Sequence, residues 1–167
     1  MNGNIDFFKA ECQTDNITAR HFGICDAQDG SKAFVDYDNE DIWIAKVDNR
    51  SGQPLNFTAI DNCIEIKRAD GNMDNRCDAM LTGAGYIIFI ELKIQDKNWI
   101  THAVEEQLQT TIDHFKATHT LEGYRKKFAY ACNRRHPYFQ SSEMTRMNNF
   151  RRKNGVRLCI ASEIVIK

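Results

Sequence analysis

The segment Tyr86-Ile-Ile-Phe-Ile-Glu-Leu-Lys-Ile94 constrains this chain more than any other. It is rich in β-branched and aromatic residues, which suit a strand. Arg76-Cys-Asp-Ala-Met-Leu81 precedes it as a shorter strand. The turn between them, Thr82-Gly-Ala-Gly85, carries two glycines that supply the backbone angles of a tight reversal. The two strands therefore make a hairpin. Side chains alternate along a strand, so Glu91 and Lys93 share a face with Ile87 and Phe89, and Leu92 points the other way. Asp78, on the partner strand, can face them. Two carboxylates and an ammonium then converge at the end of an otherwise apolar hairpin.

Such a cluster on an apolar face is costly unless it is paired or bound to a metal. Two like charges also repel, which a divalent cation relieves, and hard oxygen donors suit Mg²⁺ or Mn²⁺. A cation held by Asp78, Glu91 and a backbone carbonyl can activate water and neutralise a phosphate leaving group, with Lys93 orienting or deprotonating that water. Spacing alone equally allows Glu91 and Lys93 to be an exposed pair where the strand leaves the sheet, with Asp78 an acid near a turn.

Around the hairpin the chain mixes strands and helices. Ile100, Val104, Leu108, Ile112 and Phe115 recur at helical spacing and predict a helix from about Trp99 to His119. Phe128–Cys132 reads as a strand. A second helix, capped by Ser141 or Ser142, runs to about Lys153 and stops at Gly155. Val156–Ile166 reads as one final strand. Lys32–Tyr37 and Trp43–Val47 read as earlier strands, Phe57–Ile66 as a strand or a short helix, and Phe7, Phe8 and Cys12 as part of a short helix. The order after Arg76 implies an α/β sheet with helices packed on it. On the long helix, Gln107 falls inside the stripe of Ile100, Val104, Leu108 and Thr111, where a polar amide needs a partner. That partner is either the carboxylate site, or a phosphate, or a backbone group of the sheet.

The stretch Cys77-Asp78…Glu91-Leu92-Lys93…Glu106-Gln107-Leu108 resembles the PD-(D/E)xK, or restriction-endonuclease-like, nuclease superfamily. The resemblance covers roughly residues 60–132, with cysteine standing where the family name has proline. It implies a restriction-endonuclease-like core, a central mixed β-sheet flanked by helices. It further implies a metal site of Asp78, Glu91 and the Leu92 backbone carbonyl, with Glu65 or Asp61 as an added upstream acid. Lys93 would be the catalytic lysine, and Gln107 would reach the metal site or a phosphate. The activity implied is Mg²⁺- or Mn²⁺-dependent hydrolysis of nucleic-acid phosphodiesters, of DNA in the first instance. Small members of this superfamily include restriction enzymes, junction resolvases and prokaryotic defence or mobile-element nucleases, often acting as homodimers or with a targeting partner. The alternative is a restriction-endonuclease-like protein that has lost catalysis and serves as a binding or scaffold module.

Charge is distributed unevenly. The 167 residues hold 22 Lys+Arg and 23 Asp+Glu, a near-neutral balance that by itself argues against a highly basic nucleic-acid binder. From Tyr124 to Arg157, however, ten basic residues stand against one acid, leaving 12 basic and 22 acidic residues elsewhere. Arg125, Lys126, Lys127, Arg134, Arg135, Arg151, Arg152 and Lys153 are the candidate nucleic-acid contacts, with Tyr130, Tyr138 and Phe139 interleaved for stacking on bases. A solvated face that balances the acidic half is the competing account.

The length favours one domain over 1–167, with 1–60 an N-terminal elaboration of unassigned structure. No apolar run reaches the ~18 residues of a membrane-spanning helix, and the opening residues lack the basic-then-apolar order of a secretion signal. A cytoplasmic location is the expectation. Six widely spaced cysteines without a CxxC then read as free, buried thiols.

Overall fold

The structure, a computed structural model, describes residues 5–136 and 141–167. It is a mixed α/β protein with two mixed sheets. The strands are β1 (Gln13–Ile17), β2 (His21–Cys25), β3 (Phe34–Asp36), β4 (Ala45–Asn49), β5 (Leu55–Ala59), β6 (Ala79–Gly83), β7 (Tyr86–Lys93), β8 (Lys126–Asn133), β9 (Arg157–Ile160) and β10 (Glu163–Ile166). The larger sheet has the order β1-β5-β6-β7-β8-β9, and the smaller β10-β4-β2-β3. Helix α1 spans 99–118 and helix α2 spans Met144–Asn154.

β7 sits near the middle of the larger sheet, and all its residues but Lys93 are buried. A strand covered on both faces needs a continuous apolar run rather than an alternating one, which is why this segment stands out in the sequence. Ile87 and Phe89 pack beneath Val104, Leu108, Ile112 and Phe115 of α1 and Met147 and Phe150 of α2. Ile88, Ile90 and Leu92 face Phe22, Ile24, Val47, Ile164 and Ile166 of the smaller sheet. The layers are therefore helices, large sheet, small sheet. Helices cover only one face, which corrects the expectation of a sheet flanked by helices. The second cover comes from N-terminal residues, joined by the last strand: the strands expected at Lys32–Tyr37 and Trp43–Val47 form as β3 and β4, while β2 carries no expectation of its own.

Local chemistry fixes these elements. Gly83 pairs with Tyr86 across a two-residue turn in which Ala84 and Gly85 both have positive φ, 54° and 83°. That turn matches the twist of a hairpin, with Gly85 free of the penalty a side chain would bring. In the small sheet, a Cβ on Gly23 would stand 1.9 Å from the Trp43 ring, so only glycine lets the indole lie flat on β2. The Trp43 indole N–H donates to Asp36 Oδ2 at 2.8 Å. α2 ends where Gly155 turns left-handed and its N–H closes on the Arg151 carbonyl.

Three expectations change. Residues 156–166 form two strands in different sheets, with β9 on the edge of the large sheet and β10 parallel to β4. α2 starts at Met144 after a 3₁₀ turn over Ser141–Glu143, so neither serine is its cap. Cys12 and Cys63 are joined in a disulfide, against the reading of free thiols, while Cys25, Cys77, Cys132 and Cys159 are unpaired. The link closes a loop of 51 residues. Its loss, by reductant or by the Cys12→Ser/Cys63→Ser pair, is expected to destabilise the fold by roughly 2–4 kcal/mol. Thermal unfolding with and without dithiothreitol checks this, and an unmoved Tm would contradict it. No helix among the described residues is long and apolar enough to cross a membrane.

Candidate active site

The hairpin register brings the two acids together. Ala79 pairs with Ile90, so the next step outward sets Asp78 opposite Glu91 on the helix-covered face. Where the ladder ends, the Asp78 side chain replaces a backbone acceptor: the Leu92 N–H donates to Asp78 Oδ2 at 2.7 Å. Both acids are buried, at 6% and 2% exposure. Lys93 Nζ stands 3.0 Å from Glu91 Oε2, with only 12% of its side chain exposed. Glu91 Oε1 is buried with no hydrogen-bond partner among the described residues. The exposed Glu91–Lys93 pair that spacing alone allows is thus not what forms.

The electrostatics follow from burial. Desolvation, then the adjacent Glu91 charge, raises the Asp78 carboxyl well above its ordinary range. Burial also raises Glu91, against the pull of the Lys93 ammonium. With the two acids side by side and buried, like-charge repulsion adds to desolvation in favouring the protonated form of Asp78 when no cation is present. Two adjoining acids, one with an orphaned oxygen, are a donor set that a hard divalent cation fits. Asp78 and Glu91 would hold it, with the Leu92 carbonyl, and no third His, Cys, Asp or Glu joins them in a cluster among the described residues.

The upstream acids divide differently. Glu65 is exposed and paired with Lys67 at 2.6 Å, away from the pair. Asp61 lies nearer, since Ile60 N–H donates to the Asp78 carbonyl and the Asp61 charge is felt at Glu91. Its carboxylate is nonetheless taken by Arg76 at 3.0 Å. Asp26, on the loop after β2, also adds to the field at Asp78. Its approach depends on the small sheet packing beneath the large one, and no sequence signal marks it.

Gln107 belongs to an unusual stretch. Within α1, residues His102–Leu108 are π-helical, a form that recurs at functional sites. This stretch packs on β7. The Gln107 side-chain carbonyl is buried without a partner among the described residues, while Val104, Leu108 and Thr111 are buried as the stripe requires. Sequence reading places Thr111 on the buried stripe but assigns its hydroxyl no role. Its hydroxyl accepts the Cys77 N–H at 2.7 Å and donates to the Gln107 backbone carbonyl at 2.8 Å. One side chain thus ties the π-helical turn to the residue before Asp78. Thr111→Val is expected to cost about 1–3 kcal/mol by leaving the Cys77 N–H unsatisfied, and Thr111→Ser to restore most of it. Urea unfolding of the two variants tests this, and equal losses would assign the effect to the methyl group instead.

The basic residues do not form one surface. Arg134 follows β8 beside the site, and its N–H donates to the Lys93 carbonyl. Arg135 makes an exposed pair with Asp96 at 2.7 Å. Lys126 and Lys127 lie at the other end of β8, in register with Tyr86 and Ile87. Arg151, Arg152 and Lys153 occupy the last turn of α2, where Lys153 lines a cleft of about 600 Å³ between the two helices. Tyr130 is buried inside the sheet at 9% exposure and is not free to stack on a base. Tyr138 and Phe139 lie outside the described residues. Comparison with protein-family models, with curated proteins and with solved structures finds no match to this chain.

Proposed function

We propose that this chain is a metal-dependent nuclease with a restriction-endonuclease-like core, hydrolysing phosphodiester bonds of nucleic acid, with DNA as the expected substrate. The carrying observation is the buried Asp78–Glu91 pair with Lys93 at 3.0 Å and one carboxylate oxygen left unpartnered. The topology supports the same reading. β5, β6 and β7 run antiparallel, α1 crosses over, and β8 returns parallel to β7. Asp78 immediately precedes the second of these strands, and Glu91 and Lys93 close the third.

In this reading Asp78, Glu91 and the Leu92 carbonyl hold Mg²⁺ or Mn²⁺, which when bound polarises the phosphodiester and lowers the pKa of water. The chain's own groups do the rest. Lys93 fixes Glu91 and directs its ammonium toward the site mouth, where it orients the attacking water or meets charge growing on the phosphate. The Gln107 amide, unpartnered through its oxygen, turns between the carboxylate pair and a substrate oxygen. Arg134 and Arg135 border the strand ends and take the flanking backbone. The Arg135–Asp96 pair is exposed and contributes little to stability, so a phosphate can displace it.

The test is a cleavage assay with Mg²⁺ or Mn²⁺ on supercoiled plasmid, linear duplex, single-stranded and branched DNA, and RNA, using wild type and Lys93→Ala. Metal-dependent cleavage of at least one substrate by wild type, lost in the variant, is the expected result. Cleavage by both alike, or by neither, would overturn the reading.

A further inference from the structure

At the end of the sheet opposite the carboxylates lies a depression of about 250 Å³. Five cations from three parts of the chain line it: Arg125, Lys126 and Lys127 around the start of β8, Arg151 in the last turn of α2, and Arg157 at the start of β9. None of the five makes an ion pair among the described residues, whereas Arg50, Arg68, Arg76, Arg135 and Arg146 each do. Structural needs account for single members. Arg151 complements the carbonyl end of α2, and Arg157 discourages pairing at the β9 edge. Neither need accounts for five unpaired charges gathered on one hollow, where mutual repulsion is unfavourable without an anion.

Register gives the distance. Lys126 and Lys127 pair with Tyr86 and Ile87, four to five residues before Glu91 on β7. At ~3.3 Å per residue this is about 13–17 Å. One phosphate cannot touch both places. Nucleic acid is the polyanion that presents many phosphates at such separations, since a duplex advances about 3.4 Å per base pair.

We propose that this depression is a nucleic-acid backbone site separate from the cleavage centre, an exosite that holds the substrate at phosphates remote from the bond cut. The choice of ligand rests on the nuclease reading, but the binding does not require catalysis.

Fluorescence anisotropy on the full chain tests it, in EDTA so that nothing is cut, with a labelled 20-base-pair duplex. Lys126→Glu/Arg157→Glu is compared with wild type and with Lys46→Glu/Arg50→Glu, a reversal of equal charge elsewhere. All four positions are exposed, and thermal unfolding verifies that each variant is folded. The exosite variant is expected to lose at least about tenfold in affinity and to flatten the log Kd against log salt slope by roughly 2. Unchanged affinity, an equal loss in the control, or preference of wild type for inorganic polyphosphate or anionic vesicles over the duplex would overturn the proposal. Duplex binding lost in the exosite variant, with no cleavage under any condition, would leave the exosite standing and remove the nuclease reading. Cleavage with unaltered binding in the variant would do the reverse.

Discussion

Lys93→Ala is expected to lower metal-dependent cleavage by roughly 10²–10⁴-fold, the range for losing a positioned acid–base group. The side chain is held in place: its ammonium lies 3.0 Å from Glu91 Oε2, and little of it is exposed. Its removal also takes away the neighbouring positive charge that favours an ionised Glu91 against burial. Lys93→Arg separates the two effects. The guanidinium keeps the charge and remains protonated at any working pH. Activity regained in the arginine variant assigns charge stabilisation to Lys93. Activity regained only by lysine assigns it a proton. Rates measured across pH for the three proteins decide between them.

Asp78→Asn is expected to lower cleavage by about 10²–10⁴-fold while making the metal-free protein more stable by roughly 1–3 kcal/mol. The asparagine oxygen can still accept the Leu92 N–H, and its amide can donate to Glu91. One of two abutting buried charges disappears with no loss of volume. The pH dependence has a definite sign. Both carboxyls are raised in the folded protein, Asp78 most strongly, chiefly by burial. The folded state then holds protons that the unfolded chain has released. Stability from the protonated pair is full below the ordinary carboxylate range and is lost as pH climbs through the raised values. Metal-free wild type is therefore expected to weaken over that climb, and Asp78→Asn to weaken less. Thermal unfolding in EDTA across pH measures both. A destabilised Asp78→Asn would mean that the carboxylate serves the fold rather than the site.

The sequence made the centre of the molecule legible and left its edges obscure, for physical reasons. β7 is buried on both faces, so its run of apolar residues announces it, and the Ala84–Gly85 turn fixes which residues oppose each other. Once that register is set, Asp78 must meet Glu91. The N-terminal strands carry weaker signals. β1 has one buried residue out of five, so its stability comes from pairing with distant β5 rather than from a local pattern, whereas the strands expected at Lys32–Tyr37 and Trp43–Val47 do form as β3 and β4. The switch of sheets between Ile160 and Glu163 interrupts an apolar tract without glycine or proline to mark it. The Cys12–Cys63 pairing depends on the approach of a 3₁₀ turn, Ala10–Cys12, to a segment 51 residues further along, which no spacing encodes.

Charge was misleading in a different way. Lys126 and Arg134 belong to one basic stretch of sequence, yet β8 runs between them, and eight residues of strand separate them by about 26 Å. A basic segment thus becomes two basic places, one beside the carboxylates and one at the far end. Gln107 was visible as a polar residue on an apolar stripe, but the π-helical turn that carries it was not, since widening a helix by one residue leaves no compositional trace.

The most direct measurement is a Mn²⁺ titration of plasmid cleavage, with wild type and Asp78→Asn purified side by side. Saturable cleavage by wild type, and cleavage by the variant lower by about 10²–10⁴-fold at every concentration that leaves it folded, is the result expected of a catalytic metal held by Asp78 and Glu91. Equal cleavage by both proteins, or no cleavage by wild type across the titration, would contradict it.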